Sequence, residues 1–559
     1  MTVPESMQPD APTSVWAPHA AEVQLELEGR RIPMRAGKAG WFACDAQVAV
    51  GQRYGFRLRR HDEEDFGPAL PDPRSRRQPD GIHGLSAPVA DFQWHDQQWK
   101  GRPLEDEVIY ELHVGTFTPE GTFAAVETRL DYLQELGVTA IELMPVQPFG
   151  GDRNWGYDGV SWFAVHEGYG GPAGLQHLVE TCHARGMSVI LDVVFNHFGP
   201  DGNYLPAFGP YLSNGTTGWG EAVNYSGPNS DEVRRYCLDA ARQWLEDYHI
   251  DGLRLDAVHA YDDRGAYSIM EQLQEVAEDV EKRSGAHKYL IAESDLNDPK
   301  LIAPSGFGLA GQWVDDVHHC IHTLVSGEDN AYYADYAKAG IEGLRRTMAE
   351  MFFFQGSFST FRARTHGRPL TSDIRPQAGV TYTTTHDQTG NRAQGDRPSQ
   401  NLSEEQLRLK AALVLLSPYV PMLFMGEEFA AQTPFPFFCS HEREELNEAT
   451  RRGRLAEFAA HGWAPDLVMD PADPATFDAA KLNWVFDASQ AQILKAYREL
   501  IALRKKHRLN EIDFDDFSVE TEGIVLTLRY PTLALEANCS STDDKAHGLS
   551  PWEYRITEL

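Results

Sequence analysis

The sequence predicts an α/β protein: a (β/α)8 TIM barrel with an N-terminal, immunoglobulin-like β-sandwich and a small C-terminal β region. Three observations lead to this prediction. Strand and helix patterns alternate from about residue 106 to residue 508, residues 13–90 show strand patterns only, and strand patterns return after residue 508. A chain of 559 residues is too long to fold around a single hydrophobic core. We therefore expect three domains, at 1–90, 91–508 and 509–559.

The first of these domains is predicted from two strand-like stretches separated by turns that contain glycine and proline. These stretches are VWAPHAAEVQLEL and RYGFRLRR. The segment that follows, GPALPDPRSRRQPDGIHG at 67–84, is rich in proline, glycine and charge. It is typical of a linker or an irregular loop.

The central domain is predicted from apolar strands that alternate with amphipathic helices, a pattern that favours a parallel sheet with right-handed crossovers. The predicted strands are DEVIYELHVGTF, VTAIELMPV, MSVILDVVFNH, IDGLRLDAVH, KYLIAESD, GVTYTTTHD and VPMLFMGEEF. Their nearly continuous apolar runs indicate that both faces of the sheet are covered. A doubly wound sheet is the alternative, but no glycine-rich phosphate-binding motif follows an early strand.

The last domain is predicted from the strand-like stretch DFSVETEGIVLTLRYPTLALEA. The tail after it, CSSTDDKAHGLSPWEYRITEL, has little pattern, so we expect a loosely ordered end.

Composition narrows the classes of partner and cofactor. The formal net charge of −33 opposes binding to nucleic acid or to an acidic membrane surface. The cysteines are far apart, no H-E-x-x-H motif occurs, and the N-terminal segment lacks a signal-peptide pattern. We therefore expect a cytoplasmic protein with free thiols, no cofactor and no metal, acting as a monomer or homodimer.

Charged side chains are concentrated where the predicted strands end. In a (β/α)8 barrel the active site lies at the C-terminal ends of the strands. Five of these ends carry polar or ionisable groups: Asp192, Asn196 and His197; Arg254 and Asp256; Glu293; His386 and Asp387; Glu427 and Glu428. Any one of them could be a helix cap or a turn residue, but together they predict one shared catalytic mouth.

The stretch GLRLDAVH, residues 252–259, places a cation and an anion on one face of a strand. Residues two apart in a strand point to the same side, so Arg254 and Asp256 share a face. Leu253 and Leu255 point to the opposite side, toward the surrounding helices. Burying a single charge is costly, so we expect this pair to face the open mouth of the barrel.

Carboxylates without a metal motif indicate glycoside cleavage, in which one carboxylate is the nucleophile and another the acid/base. Asp256 and Glu293 end neighbouring strands if the strand order is sequential, and neighbouring strands lie about 4.8 Å apart. This spacing suits the roughly 5–5.5 Å carboxyl separation of retaining enzymes. Arg254 would keep Asp256 ionised, whereas Glu293 needs a raised pKa to hold its proton. Asp387 would bind sugar hydroxyls from the opposite rim.

The segments DVVFNH, GLRLDAVH, AESD and TTHDQ resemble, in order and spacing, the four signature segments of the α-amylase superfamily, glycoside hydrolase family thirteen. The resemblance covers about residues 100–508. It implies that Asp256 is the nucleophile, Glu293 the acid/base and Asp387 the transition-state stabiliser. It further implies that five residues contact the sugar, namely Arg254, His197, His386, Asn196 and the stacking residue Tyr157. Asp192 would support these residues from behind.

Flanking motifs resemble one subgroup of this family more closely. They are MPVQPFGGDRNWGYDGV, NHFGPDGNYLPAFGPY, PDPRSRRQPDGIHG and LFMGEEFAAQTPFPFF. Members of that subgroup hydrolyse the α-1,4 bond beside the terminal trehalose of maltooligosyl trehalose. The insertion at 352–369 would then shape the trehalose pocket, and Trp219 would be a platform for the leaving trehalose. The family's C-terminal β-sandwich is usually longer than the region after residue 508.

Two other functions remain open at this stage. A glycogen branching enzyme would use the same carboxylates on related α-1,4-glucans but transfer the glycosyl group to a glucan hydroxyl. A non-catalytic glucan-binding protein would have lost a catalytic carboxylate, whereas Asp256, Glu293 and Asp387 are all present.

Overall fold

The computed structural model describes residues 7–460 and 467–559. Its strands are β1 (Thr13–Trp16), β2 (Ala20–Leu27), β3 (Arg30–Pro33), β4 (Arg35–Ala36), β5 (Trp41–Cys44), β6 (Tyr54–Arg60), β7 (Ala69–Leu70), β8 (Ile109–Leu112), β9 (Ala140–Leu143), β10 (Ser188–Val193), β11 (Leu212–Thr217), β12 (Gly220–Val223), β13 (Gly252–Leu255), β14 (Tyr289–Ala292), β15 (Gly311–Trp313), β16 (Gln355–Ser359), β17 (Arg364–Gly367), β18 (Gly379–Tyr382), β19 (Val420–Phe424), β20 (Ser518–Glu522), β21 (Val525–Arg529), β22 (Leu533–Asn538) and β23 (Tyr554–Glu558).

The α-helices occupy most of the connections between the central strands. They are α1 (Val114–Phe117), α2 (Phe123–Glu127), α3 (Leu130–Leu136), α4 (Gly171–His183), α5 (Leu205–Phe208), α6 (Ser230–Glu246), α7 (Ile269–Ser284), α8 (Asp315–Ser326), α9 (Ala334–Glu350), α10 (His386–Gly390), α11 (Pro398–Asn401), α12 (Glu404–Leu415), α13 (Glu444–Ala460), α14 (Pro474–Ala480) and α15 (Ala488–Lys506).

Eight parallel strands close into a barrel in the order β8-β9-β10-β13-β14-β15-β18-β19. The predicted barrel is thus confirmed and the doubly wound sheet is wrong, because an open sheet would leave two unpaired edges. Strand β15 is the one that the sequence did not predict. It has only three residues, too few to show an alternating pattern.

The predicted alternation along β13 is also confirmed. Leu253 and Leu255 are fully buried in the core that contains the surrounding helices, while Arg254 points into the barrel. The first residue of this strand is Gly252, and only glycine fits there, because a Cβ would come within 2.3 Å of the Tyr289 ring on β14. The tight contact between β13 and β14 brings the ends of these two strands together, where Asp256 and Glu293 follow.

Antiparallel sheets precede and follow the barrel. The N-terminal part contains a three-stranded sheet, β1-β5-β4, and a four-stranded sheet, β3-β2-β6-β7. The C-terminal part is the four-stranded sheet β20-β21-β22-β23. The expectation of a loosely ordered end is wrong, since the tail returns as β23 and pairs along β22 from Leu533 to Ala537.

Three observations bear on thiols, membranes and metals. All six cysteines are free and buried. Across 7–460 and 467–559, no helix is both long and apolar enough to cross a bilayer. In the same ranges no three or more His, Cys, Asp or Glu side chains are arranged to hold a metal ion.

A buried ion-pair network ties the segment before the barrel to the side where the strands begin. His183, at the end of α4, donates from Nδ1 to Asp96 (2.7 Å) and from Nε2 to Asp251 (2.9 Å). Trp99 stacks on the His183 ring and donates from Nε1 to Asp251. Burial lowers the pKa of His183, but the two carboxylates outweigh this effect, so the pKa is raised overall.

We expect His183→Gln to lower the free energy of unfolding by about 1.5–3 kcal/mol below pH 6, because it removes the cation that bonds to both carboxylates and leaves Asp96 paired with His249 and Asp251 paired with Lys288. A raised folded pKa means that the stabilisation is complete below the ordinary histidine pKa of 6.5 and is lost as pH rises through the folded value. Urea denaturation from pH 5.5 to 9 should show the difference from the unmodified protein shrinking with pH. His177→Gln, at an exposed pair on the same helix, is the control. A difference that does not vary with pH would contradict the network's protonated state.

Candidate active site

A cleft of about 1190 Å³ opens at the C-terminal ends of the barrel strands. Six of the ten predicted site residues line it, namely Asp256, Glu293, Asp387, Tyr157, His197 and Trp219. The other four lie directly behind this lining and are almost completely buried, namely Asp192, Asn196, Arg254 and His386. The carboxylates are thus exposed to a ligand, while the groups that orient them are shielded from water.

Arg254 is the centre of the buried layer. Its Nη1 donates to both oxygens of Asp192, at 3.0 and 2.9 Å, and to Asp256 Oδ1 at 2.6 Å. Its Nη2 lies 3.7 Å from Glu293 Oε2. The guanidinium also lies over the Trp313 ring, 4.3 Å from the ring centroid. One cation therefore holds three carboxyl groups from three neighbouring strands, at a depth where the Coulomb attraction is weakly screened.

Asp256 is held from a second side by Asn196. The Asn196 amide donates to Asp256 Oδ2 at 2.6 Å and to the Asp256 carbonyl oxygen at 3.1 Å. Both carboxylate oxygens of Asp256 thus accept a hydrogen bond, one from Arg254 and one from Asn196. Such bonds stabilise the ionised form and fix its orientation.

Glu293 has an environment that favours its protonated form. Its Oε2 accepts a 2.6 Å hydrogen bond from the Ala257 N–H, which the left-handed backbone at Ala257 (φ 42°) aims toward it. Burial raises the pKa of Glu293 to about 8, against the attraction of Arg254 and with the repulsion of Asp256 and Asp387. The predicted raised pKa is therefore confirmed, and Glu293 carries its proton at neutral pH.

His386 links Asp387 to the floor of the site. Its Nδ1 donates to Glu111 Oε1 at 2.5 Å, and its Nε2 lies 2.9 Å from the Tyr157 hydroxyl and 3.5 Å from Asp387 Oδ1. Burial lowers the pKa of His386, but Asp387 and Glu111 outweigh it and raise the pKa to about 9. The imidazolium therefore persists at neutral pH, and Asp387 sits beside a second buried cation.

Tyr157 joins this layer to Asp192. Its hydroxyl donates to Asp192 Oδ2 at 2.5 Å, and its ring stacks on His386 with centroids 5.3 Å apart. Burial raises the pKa of Asp192 to about 7, and Arg254 opposes the shift. The predicted supporting role of Asp192 is consistent with these contacts, since it reaches the cleft only through Arg254 and Tyr157.

Aromatic and basic side chains also line the cleft. Trp219, on the β11–β12 turn, is half exposed and stacks parallel to His197 with centroids 5.9 Å apart. The insertion at 352–369 forms the hairpin β16–β17, and its turn supplies Phe361 and Arg362 to the cleft. Arg362 pairs with Asp295, two residues after Glu293, at 2.9 Å. The hairpin is therefore fixed beside the acid.

Some functional residues were missed from the sequence, and two predicted charges lie elsewhere. Trp313 and Asp315 follow β15, the unpredicted strand, and both line the cleft. Glu111 lies inside β8, where its inward position in the alternation was the available signal. Glu427 and Glu428 do not line the cleft, because they bond to tyrosine and threonine hydroxyls behind the barrel. The expectation that all charged strand ends meet at one mouth is wrong for this pair.

Comparison with known proteins gives a family and a set of relatives. The model of the alpha-amylase catalytic domain matches residues 76–207. A malto-oligosyltrehalose trehalohydrolase from Rhizobium sp. (strain M-11) is 49% identical over 534 residues, which are 92% of this chain and 88% of that protein. One from Mycobacterium tuberculosis (strain H37Rv) is 50% identical over 90% of this chain and 87% of its own.

Solved structures and a second enzyme class complete the comparison. The crystal structure of a putative alpha amylase from Salmonella typhimurium superposes with a TM-score of 0.89 at 37% identity, over 97% of this chain and 96% of that chain. A 1,4-alpha-glucan branching enzyme from Corynebacterium jeikeium is 31% identical, but over only 54% of this chain and 47% of its own. The similarity to the trehalohydrolases is thus both higher and more complete.

Proposed function

This chain belongs to the malto-oligosyltrehalose trehalohydrolase family of the α-amylase superfamily, and from that premise we propose that it releases trehalose from maltooligosyl trehalose. The bond cleaved is the α-1,4 bond next to the terminal trehalose, and the second product is a maltooligosaccharide. The reaction is a hydrolysis that retains anomeric configuration. The observation that carries the mechanism is a pair of carboxyl groups on neighbouring strands: Asp256, which accepts hydrogen bonds from Arg254 and Asn196, and Glu293, whose raised pKa keeps its proton in place.

In the first step Asp256 attacks the anomeric carbon while Glu293 gives its proton to the glycosidic oxygen, and trehalose leaves. The glycosyl group is then an ester of Asp256. In the second step Glu293, now ionised, takes a proton from water, which attacks the anomeric carbon and frees Asp256. Arg254 and Asn196 support this cycle, because their hydrogen bonds orient the Asp256 carboxylate before the attack and receive it again when the ester is hydrolysed.

Asp387 and His386 are proposed to stabilise the flattened, positively charged sugar between the two steps. Asp387 is the most exposed of the three carboxylates, at 44% of its side-chain surface, and so can bind two neighbouring sugar hydroxyls. His386 holds a proton beside it and is proposed to orient it. Tyr157 is proposed to stack against the sugar ring, and His197 to contact the sugar beside it.

The aromatic side of the cleft is proposed to bind the leaving trehalose. The acid must lie on the side of the leaving group, and the β16–β17 hairpin is paired to the segment just after Glu293. Trp219 and Phe361 are each more than half exposed and line the cleft, where aromatic rings can stack on a sugar. Trehalose would stack on one or both of these rings and hydrogen-bond to Arg362.

Product analysis tests this function. Maltopentaosyl trehalose should give trehalose and maltopentaose, with no new α-1,6 linkage after long incubation. A branching enzyme would instead give α-1,6 branches from α-1,4-glucan, and a non-catalytic protein would leave the substrate intact. The partial match to the branching enzyme and the presence of all three carboxylates argue against both alternatives.

A further inference from the structure

The cleft continues past the catalytic carboxylates along one face of helix α13. Five residues of this helix line it, namely Thr450, Gly453, Arg454, Glu457 and Phe458. Their spacing of three, one, three and one residues places them on a single helical stripe. The helix lies in the long connection between β19 and the last barrel helix, α15, and nothing in the double-displacement chemistry uses it.

The position of α13 places it on the side opposite the leaving group. The connection that carries it leaves the barrel from β19, which is four strands from β13 in the eight-stranded ring and therefore diametrically across from it. Arg454 fastens the helix there. Its Nη2 donates to the Gly390 carbonyl oxygen at 2.8 Å and its Nη1 to Asn391 Oδ1 at 3.1 Å, both just beyond Asp387. The leaving side, by contrast, is bordered by the hairpin beside Glu293.

The chemistry of this face suits a glucose chain. The Arg454 guanidinium lies over Phe437 and Phe458, 4.9 and 5.1 Å from the ring centroids. Glu457 accepts a hydrogen bond from Arg454 and keeps 44% of its side-chain surface exposed. Apolar ring surface next to fixed hydrogen-bonding groups is the usual composition of a site for a neutral, hydroxyl-rich ligand.

Gly453 leaves a groove along the cleft-facing side of α13, because glycine has no side chain to fill it. Among the residues that the structure describes, no atom lies within 4 Å of a Cβ built at this position, and Gly453 itself lines the cleft. Glycine in a helix interior is unfavourable relative to alanine, so its presence at this point carries a stability cost. The cost is understandable if a ligand must pass close to the helix backbone here.

From these contacts we infer that the Thr450–Phe458 face of α13 binds the α-1,4-linked glucose units of the glycone chain, and that it sets the chain length the enzyme requires. The inference rests on the proposed function for the direction in which the chain lies. It adds a site for the part of the substrate that stays on the enzyme after trehalose has left. Longer chains should therefore gain binding energy at α13 that short chains cannot reach.

Blocking the groove tests the inference. Gly453→Trp should fill it, because a Cβ at this position meets no atom of residues 7–460 or 467–559 within 4 Å. The matched control is Arg452→Trp, which adds the same side chain on the exposed face of α13 that points away from the cleft. The kcat/KM of both variants should be measured on two series of substrates. The first series is trehalose carrying one to five additional glucose units. The second is maltooligosaccharides without trehalose that place the same number of glucose units on the glycone side.

The expected result is that Gly453→Trp lowers the ratio of kcat/KM between the longest and shortest chains by about tenfold, while Arg452→Trp keeps the ratio of the unmodified protein. An equal loss on all lengths, or no loss on any, would overturn the inference. If Gly453→Trp fails to fold by circular dichroism, Glu457→Ala decides instead: it should weaken long chains several-fold and short ones little, and an unchanged ratio would overturn the inference.

Failure of the proposed function gives a different result. In that case the unmodified protein would release no trehalose from any chain, while the dependence on glycone length could still be read from the unmodified maltooligosaccharides. The two sets of substrates therefore separate the direction of cleavage from the role of α13.

Discussion

Replacing Asp256 by alanine should lower kcat on maltooligosyl trehalose by about 10⁴-fold or more, which corresponds to roughly 5.5 kcal/mol of lost transition-state stabilisation. The two carboxyl groups that share Arg254 with Asp256 cannot take its place, since Asp192 is buried behind Arg254 and Glu293 must hold its proton for the leaving group. The fold should survive, because Arg254 keeps both of its bonds to Asp192. Initial rates and a thermal denaturation curve measure the two effects.

Rescue by azide separates a lost nucleophile from a damaged site. A small anion can enter the space that the Asp256→Ala variant leaves and attack the anomeric carbon, giving a glycosyl azide of inverted configuration. We expect azide to restore turnover in this variant and to have no such effect on the unmodified protein. Glu278→Gln, an exposed carboxylate on α7, is the control for carboxylate loss. Near-normal turnover of Asp256→Ala without azide would contradict the assignment of the nucleophile.

Replacing Glu293 by glutamine should lower kcat on maltooligosyl trehalose by about 10²–10⁴-fold, the usual contribution of a general acid. The loss should depend on the leaving group. An α-maltosyl fluoride releases fluoride without protonation, so the first turnover should remain fast, and the reaction should then stall because no base activates water. A burst of fluoride followed by a slow phase is the expected trace. An equally slow first turnover on the fluoride would contradict the role of Glu293 as acid.

The pH profile gives a second test of Glu293. Its pKa of about 8 predicts that the activity of the unmodified protein falls as pH rises through 8, because the acid loses its proton. The Glu293→Gln variant, measured by its residual rate, should lack this alkaline decline up to the pKa of His386, about 9. A decline near pH 8 that persists in the variant would assign it to another group.

The same raised pKa has a consequence for stability. The folded protein holds a proton on Glu293 that the unfolded chain releases above the ordinary value of 4.5. Stability should therefore fall as pH rises from 4.5 to about 8, and Glu293→Gln should remove this part of the fall. At pH 9 the variant should be the more stable protein, as expected when an active-site charge is buried for function.

The fold was largely predictable because the barrel strands carry strong periodic signals. Apolar runs on both sides of the polar strand ends gave seven of the eight strands and the order of the site residues. The eighth strand, β15, was not predicted because three residues are too few to show an alternating pattern. Trp313 and Asp315, at and just after the end of this strand, were missed for the same reason. The strand at the end of the chain, β23, is half exposed and alternates weakly, so its pairing with β22 depends on tertiary contact.

The carboxylates of the site could be predicted from the sequence, but the hydrogen bonds among the buried residues behind them could not. Same-side spacing placed Arg254 beside Asp256, as the structure has it. Spacing along the chain could not tell that one guanidinium reaches three carboxyl groups, because Asp192 and Glu293 come from other strands. Nor could it distinguish Glu427 and Glu428, which end a strand like the others but turn behind the barrel to meet Tyr497, Tyr110 and Tyr132.

The most direct measurement of the central claim is proton NMR of the first minutes of hydrolysis of maltopentaosyl trehalose. The spectrum reports the leaving group and the configuration at the new chain end together. We expect the trehalose signal to grow in step with the α-anomer of maltopentaose, with the β-anomer appearing later by mutarotation. A β-anomer that appears first would contradict a glycosyl ester on Asp256, and a chain cleaved without trehalose would contradict the position of the bond.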